Sequence, residues 1–366
     1  MSSRKAVAHL PCNIEELDTP ALVVDLDLLE QNIHLMARHF AGIRSKLRPH
    51  FKTHKCPQIA QMQMGAGALG ITCAKLGEAE VLCGSGIRDI LIANQVVGRP
   101  KIERLCTLTR QADLKVAVDD PANVDELSRI SSGQPTSLGV LVELDVGMNR
   151  CGVKTKQDAL RLAERVINSP GLDFRGLMGY EGHVVLDPDQ EKRRVGCLES
   201  LSRLTDAVGH LRSHGAKVEI VSAGGTGTYA YASTYPGITE VQAGSYVMMD
   251  TRYSTLGLPF CSSLFLLTSV VSTNRDGGCV TDAGLKTLAT EFGMPQVKDR
   301  AGLTITALSE EHGLLRASEN KPALGERLMI VPSHCCTTVN LHDALYGFRG
   351  DTVEVAWDIA ARGRSD

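Results

Sequence analysis

The chain lacks the marks of several large protein classes. No stretch reaches the roughly 18 apolar residues of a membrane span, so no membrane partner is expected. Formal net charge is only −3, and nothing indicates a nucleic-acid or polyanion partner. No CxxC pair occurs among the eleven cysteines, which speaks against a structural zinc cluster. Several of those cysteines (Cys73, Cys83, Cys279) lie in apolar, strand-like runs, which fits buried thiols in a reducing cytoplasm. The opening Met-Ser-Ser-Arg-Lys-Ala-Val-Ala-His-Leu has no long apolar run, so no secretory signal is expected and the expected location is cytoplasmic. A GxGxxG turn is absent after the first candidate strand, which weighs against an open, doubly wound sheet.

What is present suits two domains: 366 residues, 43% hydrophobic and 22% charged, an ordinary globular composition. Eight apolar runs read as strands: Leu47–Phe51, Leu69–Ala74, Asp89–Asn94, Leu114–Val118, Gly139–Asp145, Phe174–Tyr180, Val218–Ser222 and Thr239–Ala243. Helical patterns such as Asp158-Ala-Leu-Arg-Leu-Ala-Glu-Arg-Val-Ile lie between them. Continuous apolar strands with helical crossovers imply a parallel sheet covered on both faces. Eight βα units in about 200 residues imply a closed (β/α)8 TIM barrel. After about residue 255 the pattern changes to Ser263–Thr273, Gly278–Thr281, Leu303–Leu308, Arg327–Pro332 and Thr352–Ile359, strand-like and without convincing helices. The predicted organisation is a barrel over 20–255 and an all-β domain over 256–366 that also takes in 1–19. The run Ala21-Leu-Val-Val-Asp-Leu is a further candidate for the β-sheet.

Chemistry collects at the expected C-terminal strand ends. Arg48-Pro-His-Phe-Lys-Thr-His-Lys follows the first strand and holds His50, Lys52, His54 and Lys55. Four potential cations in eight residues repel one another. The cheapest relief is for one amine to lose its charge, the form that attacks an aldehyde. A solvated basic turn is the plain alternative. Glycine-rich turns follow strands seven (Gly224, Gly225, Thr226, Gly227, Thr228) and eight (Gly244, Ser245, Tyr246), where barrels of this kind cradle phosphate with bare backbone N–H groups and small hydroxyls. Either turn alone is weak. Together with a lysine at strand one they point to pyridoxal 5′-phosphate (PLP). Arg150 is placed to meet the ring's phenolic oxygen or a substrate carboxylate, unless it is a surface arginine. Tyr180 is placed to meet the pyridine nitrogen, unless it is a lid on the core. In Pro332-Ser-His-Cys-Cys, an extended backbone turns His334 and Cys336 to one side, a two-ligand clip for a divalent ion such as zinc, manganese or magnesium. His342 with Asp343, or Glu311 with His312, are candidates to support it. Taken alone, His-x-Cys is a common accident.

These motifs together resemble the fold-type III PLP enzymes of the D-threonine aldolase and D-serine dehydratase group. The matching words run nearly end to end: Leu17-Asp-Thr-Pro-Ala-Leu-Val-Val-Asp-Leu, the octapeptide, Val142-Glu-Leu-Asp-Val-Gly-Met-Asn-Arg-Cys-Gly-Val, Gly224-Gly-Thr-Gly-Thr, Gln242-Ala-Gly-Ser-Tyr, Asp282-Ala-Gly-Leu-Lys, Glu311-His-Gly and Pro332-Ser-His-Cys-Cys. The resemblance implies an alanine racemase-like barrel, a metal-bearing β-domain and a homodimer. It implies that Lys52 holds the cofactor as an imine, that His334 and Cys336 bind metal, and that Arg150, Tyr180 and the two glycine turns hold the cofactor. The activity implied is cleavage of D-3-hydroxy amino acids to glycine and an aldehyde. Dehydration to a 2-oxo acid and ammonia is the alternative, and a racemase or a non-catalytic PLP carrier lies further off. The chain departs from the aldolase pattern twice. Cys336 stands where aldolases usually carry aspartate, and Leu186 where they usually carry histidine, so the candidate base is His183 in the same loop or a metal-bound water.

Overall fold

The computed structural model describes residues 9–366, so most of the Met1–Leu10 stretch read for a secretory signal lies outside the described residues. Contacts divide the chain into two units. One holds Met36–Lys52, Pro57–Gly244 and Gly363–Asp366; the other holds the residues up to Leu35, Thr53–Cys56 and Ser245–Arg362.

The first unit is the barrel. Its eight parallel strands, in spatial order, are Lys46–Leu47, Glu240–Val241, Ile220–Ala223, Leu172–Met178, Leu138–Glu143, Asp113–Val118, Asp89–Gln95 and Ile71–Cys73. The circle closes between the first and last of these. Leu69 N–H donates to Leu47 O at 2.8 Å and Thr72 N–H to Pro49 O at 2.9 Å, and His50 and Thr72 form a parallel bridge. All eight expected strands are therefore present, and the order follows the chain, as the right-handed βαβ crossover requires. Leu91, Ala117, Leu141 and Met178, one from each of four adjacent strands, pack together as a buried cluster. The helices cover the outside by their apolar spacing. Lys156–Ile167 is capped by Thr155, whose hydroxyl accepts from Asp158 N–H, and it buries Ala159, Leu162, Ala163 and Val166, an i, i+3, i+4, i+7 face. Each fully buried leucine of this kind stabilises the fold by about 2 kcal/mol.

The second unit is a mostly antiparallel sheet. Its main path runs Cys12–Asn13, Thr352–Asp358, Ala344–Arg349, Ala21–Asp25, Leu264–Arg275, Gly278–Thr281, Gly313–Ala317, Leu303–Leu308. Arg327–Val331 pairs with Leu264–Arg275 and with Gln296–Val297. The run at Ala21 is thus a central strand of this sheet, antiparallel to one neighbour and parallel to the other. Its Ala21 and Val23 join Ile14, Leu17, Phe265, Leu267, Phe348 and Val353 in one buried cluster. Two of the family words meet here. Asp282 accepts from Thr19 Oγ1 at 2.6 Å, Thr268 Oγ1 at 2.5 Å and Ser269 N–H at 3.0 Å, tying the N-terminal segment to the sheet. The sequence reading missed Gly313–Ala317 and Ala344–Arg349, and it missed a helix at Cys335–Val339. Among the described residues no helix is long and apolar enough to cross a membrane.

Candidate active site

The charges of the octapeptide are not left to repel one another. Arg48, 1% exposed, pairs through Nε with Glu240 at 2.9 Å and through a terminal nitrogen with Asp89 at 2.6 Å. His50 Nδ1 accepts from Lys52 N–H at 3.4 Å. In the sheet-bearing unit, His54 Nδ1 bonds to the backbone of Cys56. There Lys55, at φ +51°, sends its amine to Ala361 O at 3.4 Å. The neighbours of Lys52 thus have partners of their own, two carboxylates for Arg48 and backbone groups for His50, His54 and Lys55. Lys52, in the short turn Phe51–Thr53, makes no side-chain hydrogen bond or ion pair among the described residues.

At the end of strand Leu172–Met178 follow Tyr180, Glu181 and His183. Tyr180 lies against the glycine turn: a Cβ on Gly225 would meet its ring at 3.2 Å. A Cβ on Gly227 would sit 1.9 Å from Val185 O, so close backbone approach forces glycine there. Glu181 is fully buried. It accepts from Thr228 Oγ1 at 2.5 Å and from Gly224 N–H at 3.2 Å, and Thr228 Oγ1 in turn accepts from Gly225 N–H at 3.1 Å. The Thr228 hydroxyl expected to donate toward a ligand thus spends its hydrogen on Glu181. Burial raises the Glu181 carboxyl, against the hydrogen bonds from Thr228 and Gly224. Sequence alone assigns Glu181 no role, because its partners are 43 and 47 residues away and no local pattern announces them.

The loop after Leu138–Glu143 curls back on itself. Asp145 N–H bonds Val153 O at 3.0 Å and Val153 N–H bonds Glu143 O at 2.9 Å. Asp145 accepts from Gly147 N–H, Asn149 N–H and Lys154 Nζ. Burial pushes its carboxyl up, but these three donors bring it down to about 2. Glycine is required at Gly147 (φ +133°), where a Cβ would meet the exposed His183 ring at 2.8 Å. The exposed Arg150 guanidinium lies 5.8 Å from the Tyr180 ring centre. Glu143, Asp145, Arg150, Cys151 and Tyr180 line a shallow, open recess. Glu143 is buried and receives Gln95 Nε2 at 2.6 Å. Burial raises its carboxyl, opposed by Gln95 and Arg150. Gly244 closes the barrel unit.

In the other unit, Ser245 and Tyr246 begin a short turn, Ser245–Val247, with Tyr246 buried against Phe260. The His334–Cys336 clip lies in this unit too. Its backbone is not an extended strand. His334 is the extended cap residue (φ −142°, ψ 117°) of the helix Cys335–Val339. The two side chains still meet, as a hydrogen-bonded pair. Glu291 holds the His334 ring through Nδ1 at 2.6 Å and also receives the Thr337 hydroxyl, while Phe292 stacks on the ring at 4.2 Å. Buried Asp250 receives Cys335 N–H at 3.1 Å. Cys336 Sγ lies 3.6 Å from Thr53 Oγ1. The support expected from His342, Asp343 or Glu311 goes elsewhere. His342 bonds Thr287 O, Asp343 pairs with Arg362 and Glu311 with Lys286. Glu291 takes that part instead. A nitrogen–sulfur donor pair with a carboxylate on the imidazole's other nitrogen fits a divalent metal. Among the described residues no group of three or more His, Cys, Asp or Glu side chains gathers to hold one.

The profile of the family "Alanine racemase, N-terminal domain" matches residues 24–252, and that of the "Putative serine dehydratase domain" matches 263–348. D-threonine aldolase from Arthrobacter sp is 39% identical over 96% of this chain and 94% of that one. The chain belongs to this fold-type III family of D-threonine aldolases and D-serine dehydratases. The crystal structure of D-threonine aldolase from Filomicrobium marinum superposes with a TM-score of 0.96 at 38% identity, covering 99% of this chain and 100% of that one. D-threo-3-hydroxyaspartate dehydratase from Delftia sp. (strain HT23) is 31% identical over 93% of this chain and 97% of that one. Solved structures of an enzyme of that name include a histidine-to-alanine mutant and a metal-free cysteine-to-alanine mutant, with TM-scores of 0.83 and 0.82, 30% identity to each, and coverage of 95% of this chain and 96% and 98% of those chains. The aldolases and dehydratases of this family are PLP-dependent lyases, and the chain is an enzyme of that kind.

Proposed function

We propose that the protein is a PLP- and metal-dependent lyase of D-3-hydroxy amino acids, and that its main reaction is that of a D-threonine aldolase. The observation that carries the reading is Thr53. Its hydroxyl touches Cys336 Sγ at 3.6 Å, and it is the residue after Lys52.

When bound, PLP supplies an electron sink for bond breaking at Cα, and the metal, preferably zinc given the soft Cys336 ligand, supplies a Lewis acid. The chain supplies the rest. Lys52 anchors the cofactor aldehyde. The turns at Gly224–Thr228 and Gly244–Tyr246 hold its phosphate, Tyr180 faces its ring nitrogen and Arg150 its phenolic oxygen or the substrate carboxylate. His334 and Cys336 hold the metal, with Glu291 fixing the imidazole tautomer. His183, seated on Gly147, takes the proton of the substrate's β-hydroxyl so that the Cα–Cβ bond can open. The division of labour is a PLP-binding barrel and a metal-bearing β-domain, in a cytoplasmic homodimer.

The dehydratase reading has one specific support. In the Delftia-type dehydratase the two mutated positions are a histidine and a cysteine two residues apart, the spacing of His334 and Cys336. In that reading Lys52 removes the α-proton and the β-hydroxyl leaves. Product analysis after incubation with D-threonine decides. Acetaldehyde and glycine, lost on EDTA treatment and restored by zinc or manganese, are expected. 2-Oxobutyrate and ammonia would establish the dehydratase instead, and activity indifferent to EDTA would remove the metal assignment.

A further inference from the structure

We infer that Glu181 is the positioning residue of the phosphate cradle, setting the enzyme's preference for a phosphorylated cofactor without touching the phosphate. The inference rests on the cofactor reading above and deepens it.

A carboxylate behind an anion site is electrostatically unfavourable unless it is committed elsewhere. Glu181 is committed twice. It draws the Gly224 N–H at the start of the glycine turn and the Thr228 hydroxyl at its end. Thr228 Oγ1 passes the constraint inward by accepting Gly225 N–H. Gly224 sits at φ +82°, a conformation that a pull on its N–H helps to hold. Cys197 Sγ, at 3.9 Å, is the remaining side-chain donor near the carboxylate. No cation pairs with Glu181 among the described residues, and its two shortest side-chain and backbone contacts both come from the turn. Each carboxylate oxygen accepts from one end of the turn, Oε2 from Gly224 N–H and Oε1 from the Thr228 hydroxyl. A glutamine of the same shape has one oxygen and one NH2 group. It satisfies one donor and sets the other against a donor.

The test uses apoenzyme titrated separately with PLP and with pyridoxal, which lacks the phosphate. Visible absorbance of the lysine imine reports binding. In Glu181→Gln, PLP affinity is expected to fall about tenfold or more, because a charge-assisted pair is lost. Pyridoxal affinity is expected to stay within about twofold, so the discrimination between the two collapses. A core defect unrelated to phosphate would lower both together, and that result overturns the inference. So does an unchanged PLP affinity. If Glu181→Gln does not fold, Thr228→Val cuts the same link from the other end and must reproduce the loss of discrimination. Wild-type protein that forms no imine with either compound overturns the cofactor reading and this inference with it. Wild type that binds both equally well overturns the cradle alone.

Discussion

The two ends of the barrel both bury charge, and they treat it in opposite ways. Where Glu240, Asp89 and Asp113 open their strands, three cations are matched. Arg48 meets Glu240 and Asp89, Lys115 meets Asp89 and Asp113, and Arg175 meets Asp113 and Asp173. Burial pushes Asp89 up, but Arg48 and Lys115 pull it below its ordinary value. Even an irregularity serves this network. Val140 pairs with Phe174 and Leu141 with Gly176, so Arg175 is the extra residue of a bulge, which re-aims a side chain. At the C-terminal ends the buried carboxylates are held by neutral donors, Glu143 by Gln95 and Glu181 by Thr228 and Gly224, and burial raises both. Among the described residues Lys52 is left unpaired. Matched charges can only hold a shape. Unmatched ones store the electrostatic cost that chemistry draws on, and barrels place that cost at the C-terminal face.

The comparison breaks most sharply at Lys52. Lys52→Ala removes an unpaired group, so folding stability should hold or rise slightly while turnover falls by about 10³-fold or more. The imine absorbance should vanish. Denaturant melts and product assays on one preparation test both halves. Turnover that survives would remove Lys52 from the chemistry.

Arg48 is the opposite case, four residues earlier. Arg48→Met strands Glu240, whose side chain is 1% exposed, and an uncompensated buried charge costs about 3–5 kcal/mol. The loss should appear as a lower denaturation midpoint, with kcat per folded molecule retained. Arg48→Met with Glu240→Met removes both charges and should recover most of that stability. A double variant no better than the single one would mean the pair is not a closed unit.

This contrast also explains what could be read before the structure was seen. All eight barrel strands were legible because a buried parallel strand is a continuous apolar run. Lys52 and the glycine turns were legible because each is a local word beside a strand end. Gly313–Ala317 and Ala344–Arg349 were not, since the first is short and the second carries Gly347 in mid-strand. The clip was found for an incomplete reason. Its spacing was visible, but the helix start that turns Cys336 toward His334 was not. Partners such as Glu291 for His334, or Glu181 for Gly224, join residues more than forty positions apart, and no pattern in a single sequence encodes that.

Glu143→Gln sharpens the claim about unmatched carboxylates. Its folded-state carboxyl lies above the ordinary value because of burial. The folded state therefore holds its proton to higher pH than the unfolded chain, and stability falls as pH rises from the ordinary carboxylate range through the folded value. A neutral glutamine has no such loss and should be more stable at pH 7 by on the order of 1 kcal/mol. The gain should shrink as pH approaches 4. Melts at both pH values check it, and a Glu143→Gln variant less stable at pH 7 would refute it.

The smallest effect belongs to an ion pair at the C-terminal end that does exist. Asp145 is held at about 2 by Lys154 and two backbone amides, against burial. Its depressed value contributes stability above the ordinary carboxylate pKa, and that contribution is lost as pH falls toward 2. Lys154 is 60% exposed, however, so its share is screened by water and salt. Lys154→Met should cost under about 1 kcal/mol at pH 7, less at high salt, and less again as pH falls to about 2, where Asp145 is already about half protonated in wild type. Set beside Arg48→Met, the two substitutions each remove one cation from a barrel end, and burial alone should separate their costs severalfold. A Lys154→Met cost as large as that of Arg48→Met, unaffected by salt, would mean the loop carrying Gly147 and Arg150 depends on that pair far more than its exposure allows.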